Sequence, residues 1–386
     1  MITNTFCLSL LLLTSAACNA QAQPLGRDTT IAYAMPVLTR LPDKTLLLTW
    51  TEKDAADMGT FCMAQSADNG QTFGNRRVIV SGKGISGSRL MRPKVLTRKD
   101  GSLVAVFSNR TDVNGKRAIE VQVSTSTDKG QTWTVPKSAD SDHTPCVRGF
   151  FDAVILPNDE LAIAYLKDVA GSTKDEERNL RLVLTKNGQF LPERVIDSVV
   201  CDCCNISMLV DTKGALNVYY RDNNNDIRDM AQMTSTDNGL TFSKPQVMFA
   251  DNWKIAGCPH SGAFSTNYGD GTLVTWFSGT EQDKGIRLVT QSGKRLSLAN
   301  DPSARNGYAA TQGNKAVFVW EQNKGTQSQI AYQTLTGETV SATNWVGESV
   351  NGTNASSLLI DNQAIVVYEV RNTNKRNSLK ISRVLL

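Results

Sequence analysis

Four cysteines and one histidine fall in two short segments of the chain. Cys201, Cys203 and Cys204 lie within four consecutive positions, and Cys258 is followed two positions later by His260. Each segment precedes a predicted inner strand of neighbouring repeats, which would bring both to one end of the fold. Thiolates and an imidazole are ligands for soft metal ions, so the pattern predicts a copper or zinc site. Disulfide bonds are the competing prediction, because an exported protein meets oxidising conditions.

The geometry of the first segment limits how its sulfurs can pair. An extended backbone predicts that Cys201 and Cys203 share one face and that Cys204 points to the opposite side. A bond between the adjacent Cys203 and Cys204 would be strained. We therefore expect any disulfide partners among Cys258, Cys201 and Cys146.

Several arginines offer a second chemistry, the binding of a carboxylate. A guanidinium group holds a carboxylate through two parallel hydrogen bonds. Arg92, Arg148 and Arg305 each stand at the start of a predicted inner strand, and Arg221 ends a predicted strand. The alternative is a rim of solvated or salt-bridged arginines. Asp152 is interpreted either as an acid/base group or as the cap of a turn.

An eight-residue pattern, Ser-x-Asp-x-Gly-x-Thr-aromatic, indicates which elements would position these groups. It covers residues 66–73, 126–133 and 235–242, with a degenerate copy at 185–190. Its Asp carboxylate is expected to accept backbone N–H groups one or two residues ahead, and its Gly to take a positive φ. The pattern predicts β-hairpin turns with a structural role. The defining residues are Asp68, Gly70, Asp128, Gly130, Asp237 and Gly239.

Apolar alternating segments lie between these turns. They recur as seven units without any helical period, at intervals that suit propeller blades. A four-stranded antiparallel unit cannot bury its faces alone, and closing a ring of such units hides them. We therefore predict an all-β fold, a β-propeller of six or seven four-stranded blades, with seven favoured by the count. The last unit lacks an outer strand, which residues 29–33 are expected to supply.

The first residues read as a targeting segment. Residues 1–22 are predicted to be an export signal with its linker, and residues 23–386 a single propeller domain. The apolar stretch 8–13 is too short to span a bilayer. Cys18 follows small residues as in a lipoprotein signal, which predicts its lipidation; cleavage after 20–22 is the alternative. We expect a periplasmic, outer-membrane or cell-surface bacterial protein that contacts the membrane only through a lipid anchor.

The charge balance excludes one class of partner. The 386 residues carry a formal net charge of +4, and the Lys and Arg residues are scattered rather than interleaved with aromatics. Such a surface does not suit a nucleic acid. The expected partner is a glycan or a small acidic ligand, and no feature of the sequence indicates an oligomeric state.

The repeated Asp boxes resemble those of the sialidase superfamily, and the resemblance covers nearly all of the chain after the leader. It implies a β-propeller and, in active members, an exo-glycosidase that removes terminal sialic acid. That mechanism needs an arginine cluster for the substrate carboxylate, a Tyr nucleophile with a Glu partner, and an Asp acid/base. A Glu beside a Tyr hydroxyl can take its proton and make it nucleophilic.

Most positions that would carry this chemistry are replaced. Residues 34–36 are Ala-Met-Pro where the family has Arg-Ile-Pro, and residues 204–205 are Cys-Asn where the family has Asn-Glu. Arg221 matches a carboxylate-binding position of the family. The nucleophile position falls on Ala355, with Tyr308 as the fallback if the register is shifted by one blade.

A further set of residues resembles a signature of bacterial proteins described as sialidase-like or of unknown function. It comprises Cys-Asp-Cys-Cys at 201–204, Tyr-Arg-Asp at 220–222, Arg-Asp at 228–229, Asp251-x-Trp253 and Gly-Cys-Pro at 257–259. The sharper interpretation places Arg221 and Trp253 at the funnel beside the cysteines. The alternative is a hairpin with exposed ion pairs between Arg221 and Asp222 and between Arg228 and Asp229.

Together these patterns predict an exported, sialidase-like Asp-box propeller directed at glycans, with glycoside hydrolysis of the exo-sialidase type as one activity. A non-catalytic envelope propeller that binds a ligand or protein is one alternative. A Cys/His metal or redox site at the propeller mouth is the other.

Overall fold

The fold is described by a computed structural model that covers residues 26, 28–85, 87–174 and 176–386. Within these ranges the chain forms 29 β-strands in seven antiparallel sheets arranged as the blades of a propeller. The predicted all-β fold and the count of seven blades are confirmed. The described residues contain no helix, and so none that could cross a membrane. The predicted leader and Cys18 lie outside the described residues.

The first four blades follow the chain from the ring axis outward. Blade 1 contains β1 (Ala32–Arg40), β2 (Leu46–Lys53), β3 (Gly59–Ser66) and β4 (Arg77–Gly82). Blade 2 contains β5 (Lys94–Thr97), β6 (Leu103–Val113), β7 (Lys116–Ser126) and β8 (Lys137–Ser138). Blade 3 contains β9 (Arg148–Ile155), β10 (Leu161–Asp168), β11 (Arg178–Lys186), β12 (Gln189–Phe190) and β13 (Arg194–Asp197). Blade 4 contains β14 (Ser207–Val210), β15 (Leu216–Arg221), β16 (Met230–Ser235) and β17 (Gln246–Phe249).

The remaining three blades complete the ring. Blade 5 contains β18 (Phe264–Tyr268), β19 (Gly271–Ser278), β20 (Gly285–Thr290) and β21 (Arg295–Ala299). Blade 6 contains β22 (Arg305–Gln312), β23 (Lys315–Lys324), β24 (Gln327–Thr336), β25 (Thr339–Val340) and β26 (Asn344–Trp345). Blade 7 contains β27 (Gly352–Ile360), β28 (Gln363–Val370) and β29 (Ser378–Leu385).

The second strand of every blade supplies the core between blades. These strands read as nearly continuous apolar runs because both of their faces are covered by neighbouring sheets. Each carries at least one large aromatic residue that is fully buried: Trp50, Phe107, Tyr165, Tyr220, Trp276, Trp320 and Tyr368. Burying a side chain of this size stabilises the fold by about 1.5–3 kcal/mol.

The ring closes where blade 7 meets blade 1. The hydroxyl of Ser356 donates to the carbonyl of Pro36 at 2.8 Å. The expected fourth strand of blade 7 is reduced to two backbone hydrogen bonds at its edge: Leu379 N–H to Gly26 O at 3.3 Å and Tyr33 N–H to Asn377 O at 2.9 Å. No fourth strand forms among the described residues, because the chain enters β1 of blade 1 at this point.

The Asp boxes adopt the predicted turns, each between the third and fourth strand of its blade. In the first box, the Asp68 carboxylate accepts the hydroxyl of Ser66 at 2.7 Å and the N–H of Thr72 at 2.9 Å. Gly70 has the expected positive φ of 75°. The carboxylate therefore accepts mainly from an N–H group four residues ahead, instead of one or two residues ahead as expected. Hydrogen bonds from the Thr72 hydroxyl, the Thr72 N–H and the Ser66 hydroxyl lower the pKa of Asp68 to about 2, and the Thr72 hydroxyl contributes most.

The glycine of the second box is constrained by the neighbouring blade as well as by its own φ. Gly130 has φ +81°, and a Cβ there would lie 2.6 Å from the sulfur of Met63, a fully buried side chain of β3. Gly115 has a similar φ of +75°, but a Cβ there would have no other atom within 4 Å. A substitution at Gly115 would therefore add backbone strain alone, and a substitution at Gly130 would add both strain and a steric clash.

We predict that Gly130→Ala destabilises the protein more than Gly115→Ala does. Both changes add the left-handed strain of about 1–2 kcal/mol, and only Gly130→Ala adds overpacking of about 1–3 kcal/mol. Urea unfolding of the two variants measures the difference. Equal losses would show that Met63 does not constrain the box.

Candidate functional site

A cavity of about 340 Å³ lies on the axis of the ring, where the first strands of the seven blades converge. Each blade contributes at least one lining residue near the same level: Val37, Lys94, Asp152, Ser207, Ser265, Tyr308 and Ala355. Convergence of polar and charged groups in an otherwise apolar cavity is typical of a ligand site. The positions where the family resemblance expects a nucleophile, Ala355 and its fallback Tyr308, both lie in this wall.

Four of the strands around the cavity contain a β-bulge at this level, in β1, β9, β22 and β27. The bulges coincide with non-glycine residues at positive φ: Met35 at 53°, Phe150 at 57°, Asn306 at 54° and Asn354 at 51°. Such a conformation costs about 1–3 kcal/mol at each residue when it lies outside a turn, and the surrounding structure must hold it in place. A bulge re-aims the side chains that follow it, as it does for Asp152 and Tyr308 here.

Arg92 is a partly buried cation of the cavity wall, and most of its hydrogen-bonding capacity is unused. Its guanidinium makes one hydrogen bond, from Nη2 to the Asn354 carbonyl at 3.4 Å, and lies 5.9 Å from the centre of the Tyr308 ring. It forms no ion pair with a carboxylate of the described residues. Burial lowers the pKa of Arg92, but an arginine stays charged. Arg89, which is exposed, and Lys94 line the same wall.

Asp152 is occupied on both oxygens. Its Oδ1 pairs with Lys94 and accepts the Ala153 N–H at 2.8 Å. Its Oδ2 accepts the N–H of Met208, in the first strand of the next blade, at 2.8 Å. Both oxygens of this carboxylate are engaged by protein groups, which favours the capping interpretation of Asp152 over the acid/base one.

Tyr308 lies in the cavity without a base. Its ring stacks on Phe264 with centroids 3.9 Å apart, and its hydroxyl has no hydrogen-bond partner among the described residues. Burial raises the pKa of Tyr308, and the charge of Arg92 opposes this only in part. The Tyr–Glu pair that the resemblance implies is therefore not assembled around Tyr308 in this structure.

Two buried glutamates support the cavity rim, and neither was predicted from the sequence. Glu369 accepts the N–H of Met35 at 2.8 Å and the amide of Asn354 at 2.9 Å. Glu321 accepts the N–H of Asn354 at 2.6 Å. Burial raises the pKa of Glu369, and its hydrogen bond from Met35 partly compensates. The sequence contains a pattern that could have identified them, because each glutamate directly follows the buried aromatic residue of its second strand.

Arg221 lies behind the cavity wall rather than in it. It is 1% exposed, and its guanidinium donates to the carbonyls of Arg228 at 2.6 Å, Ser261 at 2.8 Å and Phe277 at 2.7 Å. Trp253 covers it, with the guanidinium carbon 5.1 Å from the ring centre. These contacts place Arg221 and Trp253 together as expected, but turn the arginine towards the backbone of blade 5 instead of a ligand.

The other two candidate arginines stand at the first residues of β9 and β22, as expected, yet neither lines the cavity. Arg148 is buried and pairs with Asp140 at 2.7 Å. Arg305 is 45% exposed and pairs with the buried Glu321 at 3.1 Å. Of the arginines predicted to bind a carboxylate, the structure therefore brings only Arg92 into the cavity.

The Cys-Asp-Cys-Cys segment brings three sulfurs together. The Sγ atom of Cys201 lies 3.7 Å from that of Cys203 and 3.4 Å from that of Cys204. The expectation that Cys204 would point away was wrong, because residues 202–203 form a turn instead of an extended strand. Cys258 is exposed and outside this group, and His260 lines the cavity. The described residues contain none of the expected disulfides.

The electrostatic surroundings of Cys204 are unusual for a buried thiol. Burial by itself raises the pKa of Cys204, but hydrogen bonds from Cys201 and Cys203, the charge of Arg221 and the Ser261 backbone outweigh burial. The net effect lowers the pKa of Cys204 below its ordinary value. A thiolate with a depressed pKa is the form that binds soft metal ions and reacts with electrophiles.

The contacts of Arg221 predict a structural role that can be measured. Arg221→Ala removes a donor from three buried or partly buried carbonyl groups, at about 1–3 kcal/mol each. We expect the free energy of unfolding to fall by about 3 kcal/mol or more, measured by urea denaturation. Arg117→Ala, at an exposed arginine of β7, is the control and should change stability by less than about 0.5 kcal/mol. Equal stability of the two variants would contradict this role.

Comparison with solved structures shows the same fold in distant proteins. A Dyadobacter fermentans protein of unknown function is 13% identical, with a TM-score of 0.55 and coverage of 94% of this chain and 97% of that one. Trypanosoma rangeli sialidase, solved with 2,3-difluorosialic acid, is 11% identical, with a TM-score of 0.53 and coverage of 92% and 54%. The Hadza microbial sialidase Hz136 is 13% identical, with a TM-score of 0.50 and coverage of 90% and 75%. At these identities the likeness concerns the fold alone.

Comparison with protein families gives a more direct assignment. A search of curated proteins returned no match. Residues 76–322, well over half of the chain, match the family described as BNR repeat-like domain. This match covers the second to fifth blades and most of the cavity wall described above. The chain therefore belongs to the BNR repeat-like domain family.

Proposed function

We propose that the central cavity binds an acidic saccharide and that Arg92 holds its carboxylate. The observation that carries the proposal is the position of Arg92 in the cavity, with most of its guanidinium N–H groups unused by the protein. A guanidinium fork in a partly desolvated site binds a carboxylate through two charge-assisted hydrogen bonds. A desolvated arginine without an ion-pair partner is costly unless a ligand supplies the counter-charge.

The remaining wall supports the same class of ligand. Arg89 and Lys94 add positive charge, and Asp152 is the carboxylate that offsets Lys94. The stacked rings of Phe264 and Tyr308 provide a flat apolar surface beside Arg92. An anionic ring with one carboxylate edge and one apolar face matches these features. Sialidases among the structural neighbours act on such sugars, which supports an acidic saccharide over other anions.

The arrangement supports binding rather than turnover. Hydrolysis of the sialidase type needs a base beside the Tyr hydroxyl and a carboxylic acid free to donate a proton. The Tyr308 hydroxyl has no carboxylate partner among the described residues. Both oxygens of Asp152 are already engaged. We therefore propose a glycan-binding propeller without glycosidase activity.

Titration calorimetry of the purified protein with free sialic acid, a hexuronic acid and a neutral hexose tests the proposed ligand class. We expect the two acids to bind and the neutral sugar not to bind. Arg92→Ala should weaken binding of the acids by about 10- to 100-fold, because a hydrogen-bonded charge contributes about 1.5–3 kcal/mol. Arg117→Ala, far from the cavity, is the control and should bind as the unmodified protein does.

Two results would contradict the proposed function. Unchanged binding of the acids by Arg92→Ala would exclude Arg92 as the anchor. Release of sialic acid from an aryl sialoside, lost in Tyr308→Phe and retained in Arg117→Ala, would show that the cavity is a working glycosidase site.

A further inference from the structure

A second site lies behind the cavity wall, where the thiols of Cys201, Cys203 and Cys204 meet. Their sulfur atoms lie within 4.8 Å of one another, and all three residues are at least nine-tenths buried. A metal ion bonded to three sulfurs at about 2.3 Å in a trigonal plane would hold them about 4.0 Å apart. The separations of 3.4 Å and 3.7 Å need to change by only a few tenths of an ångström to reach that arrangement.

Two buried arginines accompany the thiols, and neither forms an ion pair with a buried carboxylate of the described residues. Arg228 is 6% exposed, and its Nε atom has no hydrogen-bond partner among the described residues although it is completely shielded from solvent. Its carboxylate contact within the same ranges is Asp226, at 3.5 Å and largely solvated. Arg221 donates only to carbonyl groups and forms no ion pair within the described part of the chain. Buried cations of this kind require a counter-charge.

The guanidinium groups act on the sulfurs themselves. The charge of Arg228 interacts with Cys201, and that of Arg221 with Cys204. The backbone fixes this proximity, because Cys201 N–H donates to the carbonyl of Arg221 at 3.0 Å. Ionised sulfurs would supply both the missing acceptor for Arg228 Nε and the missing negative charge.

We propose that Cys201, Cys203 and Cys204 bind one Cu(I) ion as three thiolates. Three S–Cu bonds form, and the three thiol protons leave to solvent, with no change in oxidation state. Three thiolates and one monovalent cation carry a net charge of −2, which Arg221 and Arg228 balance. Soft thiolate ligands and low coordination suit Cu(I).

The ligand number argues against zinc at this site. Structural Zn²⁺ takes four protein ligands, and catalytic Zn²⁺ adds a water to three. No fourth His, Cys, Asp or Glu joins the three sulfurs within the described ranges. Cys258 is exposed and His260 faces the cavity instead, with its Nδ1 2.9 Å from the Cys258 carbonyl. The buried position of the sulfurs also leaves little access for a coordinating water.

The test uses the full chain, reduced and handled without oxygen, with Cu(I) supplied as its bathocuproine disulfonate complex. We expect one equivalent of Cu(I) to move from the chelator to the protein. X-ray absorption at the copper edge should show a first shell made of sulfur alone. Cys203→Ser should lower the affinity for Cu(I) at least tenfold, and Cys258→Ser, at the exposed thiol outside the group, should leave it unchanged.

A second variant keeps the test decisive if a cysteine replacement fails to fold. Arg228→Gln retains all three thiols and removes one counter-charge, and we expect it to weaken Cu(I) binding several-fold. The proposal is overturned if the protein takes no Cu(I) from the chelator or if Cys258→Ser and Cys203→Ser lose equal affinity. It is also overturned if the copper shell contains nitrogen or oxygen, or if Zn²⁺ is retained in preference from an equimolar mixture.

Discussion

The blades are separate sheets, and the structure around the cavity depends on how side chains join their first strands at the axis of the ring. Backbone hydrogen bonds between neighbouring blades are isolated, such as Ile206 N–H to the Phe150 carbonyl at 3.0 Å. Asp152 accepts an N–H group of the next blade. Ser207 and Ser265 share a hydrogen bond of 2.8 Å, and Ser356 donates to Pro36 across the closure. Polar residues near the axis therefore serve mainly to join neighbouring blades, and few of them remain free to contact a ligand.

This constraint decides which ionisable groups remain for a ligand. Glu321 and Glu369 accept backbone N–H groups of the following blade, and Arg221 donates to carbonyls of the following blade. Each lies near the end of a second strand, and the two glutamates hold the bulged segments of β1 and β27 that shape the cavity. Arg92 stands on the connection before β5 instead, where no neighbouring backbone of the described residues takes up more than one of its donors. The same rule explains why Asp152 caps a neighbouring strand rather than serving as an acid.

The fold could be predicted from the sequence because its signals are local, whereas the site depends on partners distant in the chain. The Asp boxes and the alternating strands are each encoded within about ten residues. Whether an arginine is free depends on a partner such as Asp140 for Arg148 or Glu321 for Arg305, which spacing does not reveal. The orientation of Cys204 was mispredicted because a turn replaced the extended backbone on which the prediction relied.

The residue that replaces the family's glutamate also joins two blades. Asn205, at the position where the resemblance implies Glu, donates its amide N–H to the carbonyl of Ala263 at 3.0 Å and accepts the N–H of Gly262 at 2.9 Å. A carboxylate cannot donate, so it could not make both contacts. The backbones are also too close for a side chain at 262, since a Cβ there would lie 1.8 Å from the Asn205 carbonyl oxygen. Blades 4 and 5 are joined by an amide at the position where the resemblance implies the Glu partner of the nucleophile, which fits the proposed binding of a sugar without cleavage.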